Sequence, residues 1–102
     1  MINRNMMRQA QELQARLAKA QQELAAATVE ATSGGGAVKV IATGQQEITE
    51  IKISPEAINP EDAQMLEDLV LTAVNEALNK SRELASQSMS KITGGLKIPG
   101  LM

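Results

Sequence analysis

The stretch Ser33-Gly34-Gly35-Gly36-Ala37-Val38-Lys39-Val40 decides the fold, because three consecutive glycines lead directly into an alternating strand. Glycine adopts positive φ at no steric cost, so three in a row favour a sharp reversal of the backbone over a regular helix or strand. We therefore predict a hairpin with strands at 28–32 and 37–43. A third strand at 47–53 follows a second turn at Gly44-Gln45-Gln46. The centre of the chain is thus predicted to be a three-stranded antiparallel meander.

A long helix is predicted before the meander, over residues 3–27. Its apolar residues recur at alternate spacings of four and three, which is typical of a heptad seam along one side of a helix. The seam consists of Met6, Ala10, Leu13, Leu17, Ala20, Leu24 and Ala27. Such a helix is on the order of 35 Å long, so we expect part of it to project from the body or to pair with a second copy.

The predicted strands alternate apolar and charged residues, as expected of an antiparallel sheet that is covered on one side. Val38 and Val40 belong to the apolar side, and Lys39 to the charged side. Ile41 and Ile48 break this alternation, and we predict that both lie on the charged face. They either form a minor hydrophobic contact, such as one between subunits, or are scattered surface residues of the ordinary kind.

A second long helix is predicted over residues 60–92. Asn59 can cap it, Pro60 suits the first helical position, and two acidic residues follow where the helix dipole is positive. Its apolar side is broad in the first half, which should cover the sheet, and narrow in the second. Residues 93–102 are predicted to be a flexible apolar tail that Pro99 keeps from being helical, either loose or docked on a partner surface.

These elements make one α+β domain over residues 1–102 in the order α-β-β-β-α, with the sheet at 28–53 between the two helices. A chain of this length buries only roughly two-thirds of the surface that its unfolded form exposes. The sequence also lacks Phe, Tyr and Trp, the residues that contribute most to ordinary cores. Association with a second copy is the simplest compensation for so thin a core.

Composition argues against an enzyme. The chain contains no His and no Cys, so it lacks both a side chain that titrates near neutral pH and the soft ligands of a metal site. The acidic pairs Glu61-Asp62 and Glu67-Asp68 consist of adjacent residues, which point in different directions on a helix and so do not form a paired-carboxylate site. Their favourable interaction with the helix dipole and their contribution to solubility explain them. The triple glycine lacks the Gly-Lys-Ser/Thr of a phosphate-binding loop. We predict no catalytic residue, no metal, no cofactor and no small-molecule substrate.

Neither a membrane nor an oxidising compartment is indicated. No run approaches the roughly 20 apolar residues of a membrane span, and the N-terminal segment leads into a polar helix where a signal peptide would be apolar. The lack of cysteine fits a cytoplasmic protein.

Charge is divided along the chain, although the net charge is only −2. Residues 1–20 and residues 80–102 each carry four cations against one carboxylate, whereas residues 21–79 carry two cations and ten carboxylates. The terminal cations that fall within the two predicted helices are therefore candidates for contact with DNA phosphates. They are Arg4, Arg8, Arg16 and Lys19 in the first helix and Lys80, Arg82 and Lys91 in the second. A solvated helix face explains such cations equally well when the first helix is considered alone.

Four segments of the chain, taken in order, carry a resemblance to a known family. They are the opening Met6-Met7-Arg8-Gln9-Ala10-Gln11, the centre Gly34-Gly35-Gly36-Ala37-Val38-Lys39-Val40, the helix start Pro60-Glu61-Asp62 with Met65-Leu66-Glu67-Asp68-Leu69, and the ending Gly94-Gly95-Leu96-Lys97-Ile98-Pro99-Gly100-Leu101. A chain with these segments resembles the YbaB/EbfC family of bacterial nucleoid-associated proteins. The resemblance covers nearly the whole chain.

The resemblance implies a homodimer with long helices that project like the arms of tweezers. It implies a protein of the cytoplasm and nucleoid that binds double-stranded DNA, alters its conformation, and so affects nucleoid organisation and gene expression. Phosphate contacts confer affinity without reading sequence, and the chain lacks stacking aromatic residues, so we predict weakly selective binding with a strong salt dependence. The alternative is a protein-interaction scaffold that contacts DNA only incidentally.

Overall fold

The structure, a computed structural model, describes residues 3–94. Two long helices and three strands follow one another in the predicted order. They are helix α1 (Arg4–Ala26), strands β1 (Thr28–Ser33), β2 (Val38–Thr43) and β3 (Ile48–Ile53), and helix α2 (Ala63–Gly94). The strands form one antiparallel sheet in the order β1-β2-β3, which confirms the predicted meander. From residue 95 onward the predicted tail lies outside the described residues.

Helix α1 begins at a capping residue and buries one end of its seam. The side chain of Asn3 accepts a 2.8 Å hydrogen bond from the backbone N–H of Met6, which satisfies one of the free donors of the first turn. Burial along the seam increases toward the C-terminal end, where Ala20 and Leu24 are buried, whereas Met6 is 53% exposed. The seam therefore packs against the rest of the protein over its second half.

The triple glycine forms the turn between β1 and β2. Gly34, Gly35 and Gly36 have φ values of 63°, 68° and 92°, in the left-handed region that glycine enters without strain. A Cβ on Gly34 would lie 3.0 Å from both Cδ atoms of Leu69 on α2. Beside the turn, the hydroxyl of Ser33 donates a 2.6 Å hydrogen bond to the backbone oxygen of Leu69. The turn thus joins one end of the sheet to the first half of α2.

The core lies between the sheet and the first half of α2. Its members have at most 2% of their surface exposed, and they are Ala31, Val38, Val40, Ala42, Ala73 and Ala77. The alanines of α2 let the helix approach the sheet closely. The other face of the sheet is charged, with ion pairs from Lys39 to Glu30 at 3.3 Å and from Lys52 to Glu50 at 3.6 Å. This division into an apolar and a charged face is the predicted one.

The prediction for Ile48 is wrong. Ile41 lies opposite Glu50, yet the next residue, Ala42, lies opposite Ile48, so Thr49 is left over in a β-bulge. Side chains alternate with a period of two, and one extra residue moves the positions on its far side to the other face. Ile48 therefore packs against the core. Ile41 stays on the charged face, and both isoleucines are half-buried.

Two short 3-10 turns, Pro55–Ala57 and Pro60–Asp62, lead from β3 into α2. The side chain of Asn59 accepts a 3.1 Å hydrogen bond from the backbone N–H of Glu61 and so caps the second turn. The helix predicted to begin at residue 60 thus starts as a 3-10 turn and becomes α-helical at Ala63. It continues to residue 94, two residues beyond the predicted end.

Both helices meet the sheet at the turn between β2 and β3, which we call the junction. Ser81 of α2 is fully buried there, and its hydroxyl donates to the backbone oxygen of Thr43 at 2.6 Å and accepts from the N–H of Gln46 at 2.9 Å. On the side of α1, the N–H of Gly44 donates to the backbone oxygen of Leu24 at 2.9 Å. A Cβ on Gly44 would lie 2.7 Å from the Leu24 side chain. Glycine is therefore required for this close approach.

From the junction the two helices run outward side by side. Helix α1 enters the body at the turn where α2 leaves it, so the two are antiparallel. The molecule measures 69 × 25 × 19 Å with a radius of gyration of 19.7 Å, whereas a compact chain of this length has about 13 Å. We call residues 4–24 of α1 and 81–94 of α2 the arm.

Candidate nucleic-acid interface

Three cations of α1 lie in line on the outside of the arm. Arg8 and Lys19 are 11 residues apart, which is close to three turns of an α-helix, so they share one side of α1. Arg4 lies one turn before Arg8, on almost the same side. The seam residues, such as Leu17, occupy the opposite side of α1 and are increasingly buried toward the junction. We call Arg4, Arg8 and Lys19 the cationic row.

Arg16 lies to one side of this row, because it follows Arg8 by eight residues and is thus turned by about 80° around the helix. All four α1 cations are exposed. None of them forms an ion pair with another residue between 3 and 94. The row from Arg4 to Lys19 is about 22 Å long, which corresponds to six or so base pairs at 3.4 Å each. Its charges are therefore available to an external polyanion.

Lys80 of α2 contacts residues of the body of the protein. Its Nζ donates a 2.8 Å hydrogen bond to the backbone oxygen of Glu30 on β1. The same Nζ lies 3.7 Å from the carboxylate of Glu76, one turn earlier on α2. Lys80 thus connects α2 to the edge strand β1 and lies away from the cationic row.

The other two α2 candidates do not share a face. Arg82 and Lys91 are nine residues apart, which places them about 180° apart around the helix. Arg82 donates a hydrogen bond to the side chain of Asn79, and Lys91 is exposed. The structure therefore brings together the candidates predicted in α1 and separates those predicted in α2.

Four of the acidic residues in and just before α2 lie at the end of the body that is distant from the arm. Four carboxylates fall in the 3-10 turn before α2 and in its first two turns, and they are Glu61, Asp62, Glu67 and Asp68. This helix start adjoins the glycine turn through Leu69, whereas the arm begins at the junction. A nucleic-acid backbone would be repelled at the acidic end and attracted to the arm.

The described residues hold no cluster of metal-ligating side chains. Between residues 3 and 94, no group of three carboxylates could hold a metal ion. An open cleft of about 480 Å³ beside the glycine turn is lined by Gly35, Met65, Leu69 and Glu56, among others. Its one carboxylate does not supply the paired acid and base of hydrolytic chemistry. Within the described part of the chain, neither helix has the length and apolar character needed to cross a bilayer.

One side of the core is uncovered, and sequence reasoning did not single it out. Helix α2 lies over β1 and β2, so Ile51 on β3 is 45% exposed although it belongs to the core face. Leu71 on α2 is 60% exposed, on the flank that faces away from β1. The sequence does contain a signal for this flank. Leu71 precedes Val74 by three residues and Leu78 by seven, which is the spacing of residues on one side of a helix. We call Ile51, Leu71, Val74 and Leu78 the open flank.

The sequence matches one known protein family over nearly its whole length. Residues 2–96 match the YbaB/EbfC DNA-binding family. A nucleoid-associated protein of Pelotomaculum thermopropionicum is 55% identical over 96 residues, which are 94% of this chain and 91% of that protein. A nucleoid-associated protein of Desulforamulus reducens is 56% identical over 96 residues, with the same coverage of 94% and 91%.

The fold also has a solved counterpart. A crystal structure of an uncharacterized protein from Helicobacter pylori matches with a TM-score of 0.78 at 16% identity, over 92% of this chain and 100% of that chain. Identity this low supports the fold alone, whereas the family match covers nearly the full sequence. The resemblance to this family is confirmed, and the chain belongs to the YbaB/EbfC DNA-binding family.

Proposed function

We propose that this chain is a nucleoid-associated protein that binds duplex DNA as a homodimer, through the cationic rows of its two arms. The cationic row carries the proposal, since its three cations are exposed, aligned, and unpaired with any other residue between 3 and 94. Membership of a DNA-binding family supports DNA as the ligand. The names of the two relatives support a location in the nucleoid.

The chemistry of the row favours contact with phosphates. Arginine and lysine neutralise phosphate charge and release counterions, which gives affinity without base recognition. The chain has no aromatic side chain that could stack on an unpaired base. Binding is therefore weakly selective for sequence and depends steeply on salt.

A second copy is the simplest cover for the open flank. Ile51 and Leu71 are large apolar side chains, 45% and 60% exposed, beside a core built mostly of Ala and Val. Strand β3 is an edge of the sheet, so it also presents unpaired backbone groups beside this flank. A dimer would bury the flank and fix two arms relative to each other. Two arms held at a set angle constrain the path of the duplex between them, which is how binding would alter DNA conformation.

The salt dependence of binding tests the interface. If the three cations of the cationic row contact phosphate in both arms, log K should fall with log salt with a slope of about −5. Replacement of Arg4 and Arg8 by Ala should make the slope shallower by about 3 to 4 and weaken binding similarly for unrelated duplexes. Fluorescence anisotropy with labelled mixed-sequence duplexes measures both quantities.

A matched control removes the same charge from another surface. Lys39 and Lys52 lie on the charged face of the sheet, in ion pairs with Glu30 and Glu50. The Lys39→Ala, Lys52→Ala double variant should keep the slope of the parent protein. Equal losses for the two double variants would mean that only net charge matters, which contradicts the proposed interface.

The dimer has its own test and control. Leu71→Glu places a charge in the open flank, whereas Met65→Glu places one at an equally exposed position, at 59%, on the other flank of α2. Light scattering should report a dimer for the parent chain and for Met65→Glu, and a monomer for Leu71→Glu. Loss of the second arm should also weaken DNA binding about tenfold or more. A monomeric parent chain contradicts the dimer.

The open flank also favours a second candidate, a protein-interaction scaffold. In that case the flank recruits a different protein, and contact with DNA is incidental. The parent chain would then be monomeric and would give no gel shift at physiological salt. Leu71→Glu would release the partner in a pull-down, and the Arg4, Arg8 variant would retain it.

A further inference from the structure

The seam of α1 extends beyond the part that α2 covers. Its burial decreases in three steps of two residues from the junction to the tip, with Leu24 and Ala20 buried, Leu17 and Leu13 half-buried, and Ala10 and Met6 exposed. The apolar pattern therefore continues to the tip of the helix, whereas the burial does not. The described part of α2 does not cover Ala10 and Met6, so another partner is needed to bury them.

The lengths of the two helices explain where the cover ends. Leu24 and Ser81 adjoin the same turn, through hydrogen bonds of Gly44 and Thr43. From this level α1 runs 20 residues outward to Arg4 and α2 runs 13 residues outward to its last residue. These lengths are about 30 Å and about 20 Å, so about 10 Å of α1 projects past the end of α2.

The chain itself continues from that point. Eight residues follow α2, Gly95-Leu96-Lys97-Ile98-Pro99-Gly100-Leu101-Met102, and half of them are large and apolar. Eight residues can reach at most about 27 Å, which exceeds the uncovered 10 Å of the seam. The same length falls short of the open cleft at the glycine turn, because Met65 lies 29 residues before the end of α2, a distance of about 43 Å.

We propose that residues 95–102 dock on the exposed part of the α1 seam of their own chain, over Ala10 and Met6. The docked segment takes the place that a longer α2 would occupy and extends the packed part of the arm to its tip. Arg4 and Arg8 lie on the opposite side of α1 and stay open to solvent. Docking and phosphate contact are therefore compatible, and the inference does not depend on DNA binding.

Disulfide formation tests this contact, because the chain has no cysteine of its own. One variant combines Ala10→Cys with Gly100→Cys, which leaves the apolar side chains of the segment intact. The control combines Ala15→Cys with Gly100→Cys. Ala15 is exposed and lies on the side of α1 opposite the seam, only five residues from Ala10 and within reach of the segment. Both pairs are equilibrated in a glutathione buffer, and the products are separated by mass.

Docking predicts a disulfide within one chain for the Ala10 pair, formed at least about tenfold more favourably than for the Ala15 pair. Equal formation in the two variants overturns the proposal. Disulfides mainly between chains also overturn it, since they assign the exposed seam to a second copy. Far-UV circular dichroism on both variants verifies that α1 remains helical.

Hydrogen exchange gives a second, independent measurement on the full-length chain. Ile98→Glu with Leu101→Glu should increase amide exchange about tenfold around Met6 to Ala10, where docking slows the fraying of the helix. Exchange near Leu24 should stay unchanged. Lys97→Gln is the control, since it changes the charge of the segment and keeps its apolar residues. Unchanged exchange at the tip in the double variant contradicts docking.

Discussion

The body and the arm place similar side chains in opposite situations. In the body, small apolar residues such as Val38 and Val40 are fully buried, and the cation of Lys80 is bonded to a backbone oxygen of β1. In the arm beyond the junction, each helix packs against one other helix, and the cations of α1 extend into solvent. Stability should therefore depend mainly on the body, and affinity for a polyanion mainly on the arm.

The seam of α1 connects the two regions and allows the sharpest test of this comparison. Leu24 is 9% exposed at the junction, and Met6 is 53% exposed at the tip. Leu24→Ala should lower the free energy of unfolding by about 2–4 kcal/mol, because it removes buried apolar atoms and leaves a cavity. Met6→Ala should cost less than about 1 kcal/mol. Urea denaturation at one fixed protein concentration measures both, and similar costs would contradict the division into body and arm.

Gly44 and Gly35 are constrained for different reasons, Gly44 by a close neighbouring residue and Gly35 by its backbone torsion angle alone. A Cβ on Gly44 would lie 2.8 Å from the backbone oxygen of Leu24, whereas a Cβ on Gly35 would meet no atom within 4 Å. Gly44→Ala should therefore displace α1 from the sheet and cost about 2–3 kcal/mol. Gly35→Ala should cost about 1 kcal/mol, for its φ of 68° alone. A larger loss at Gly35 would mean that the turn, and not the junction, limits stability.

The order of elements was predictable because local signals and tertiary packing agree. The glycine turn, the heptad seam and the Asn59-Pro60 start each specify a boundary within a few residues, and the structure follows all three. The bulge at Thr49 was not predictable. It depends on how β3 is paired with β2, and Ile48 joins the core only because of that pairing.

The candidate site was predictable on one helix and less so on the other. The spacing of Arg4, Arg8 and Lys19 is a property of α1 alone, so sequence reasoning could place them on one side. The environment of Lys80 depends on which face of α2 lies beside β1. No pattern within α2 reveals that its Nζ reaches the backbone oxygen of Glu30, 50 residues earlier in the chain.

Ser81 tests the polar part of the junction. Its buried hydroxyl bonds to the backbone of Thr43 and Gln46. Ser81→Ala leaves both backbone groups without this partner and should cost about 1–2 kcal/mol. Ser86→Ala on the exposed side of the arm should change stability by less than about 0.5 kcal/mol. Thermal denaturation compares the two, and equal midpoints would show that water replaces the serine hydroxyl at the junction.

Lys80 and Arg8 distinguish a cation that stabilises the fold from a cation that binds phosphate, and the expected changes in stability are the smallest of those considered. Lys80→Ala removes a half-exposed hydrogen bond and ion pair, so it should lower stability by about 0.5–1 kcal/mol. Arg8→Ala should leave stability unchanged within about 0.5 kcal/mol. DNA affinity should respond in the reverse order, because removing one phosphate-binding cation makes the salt slope shallower by about 0.9 per chain. If Lys80→Ala weakens DNA binding as much as Arg8→Ala does, then α2 contributes to the interface and the cations of the body and the arm act together.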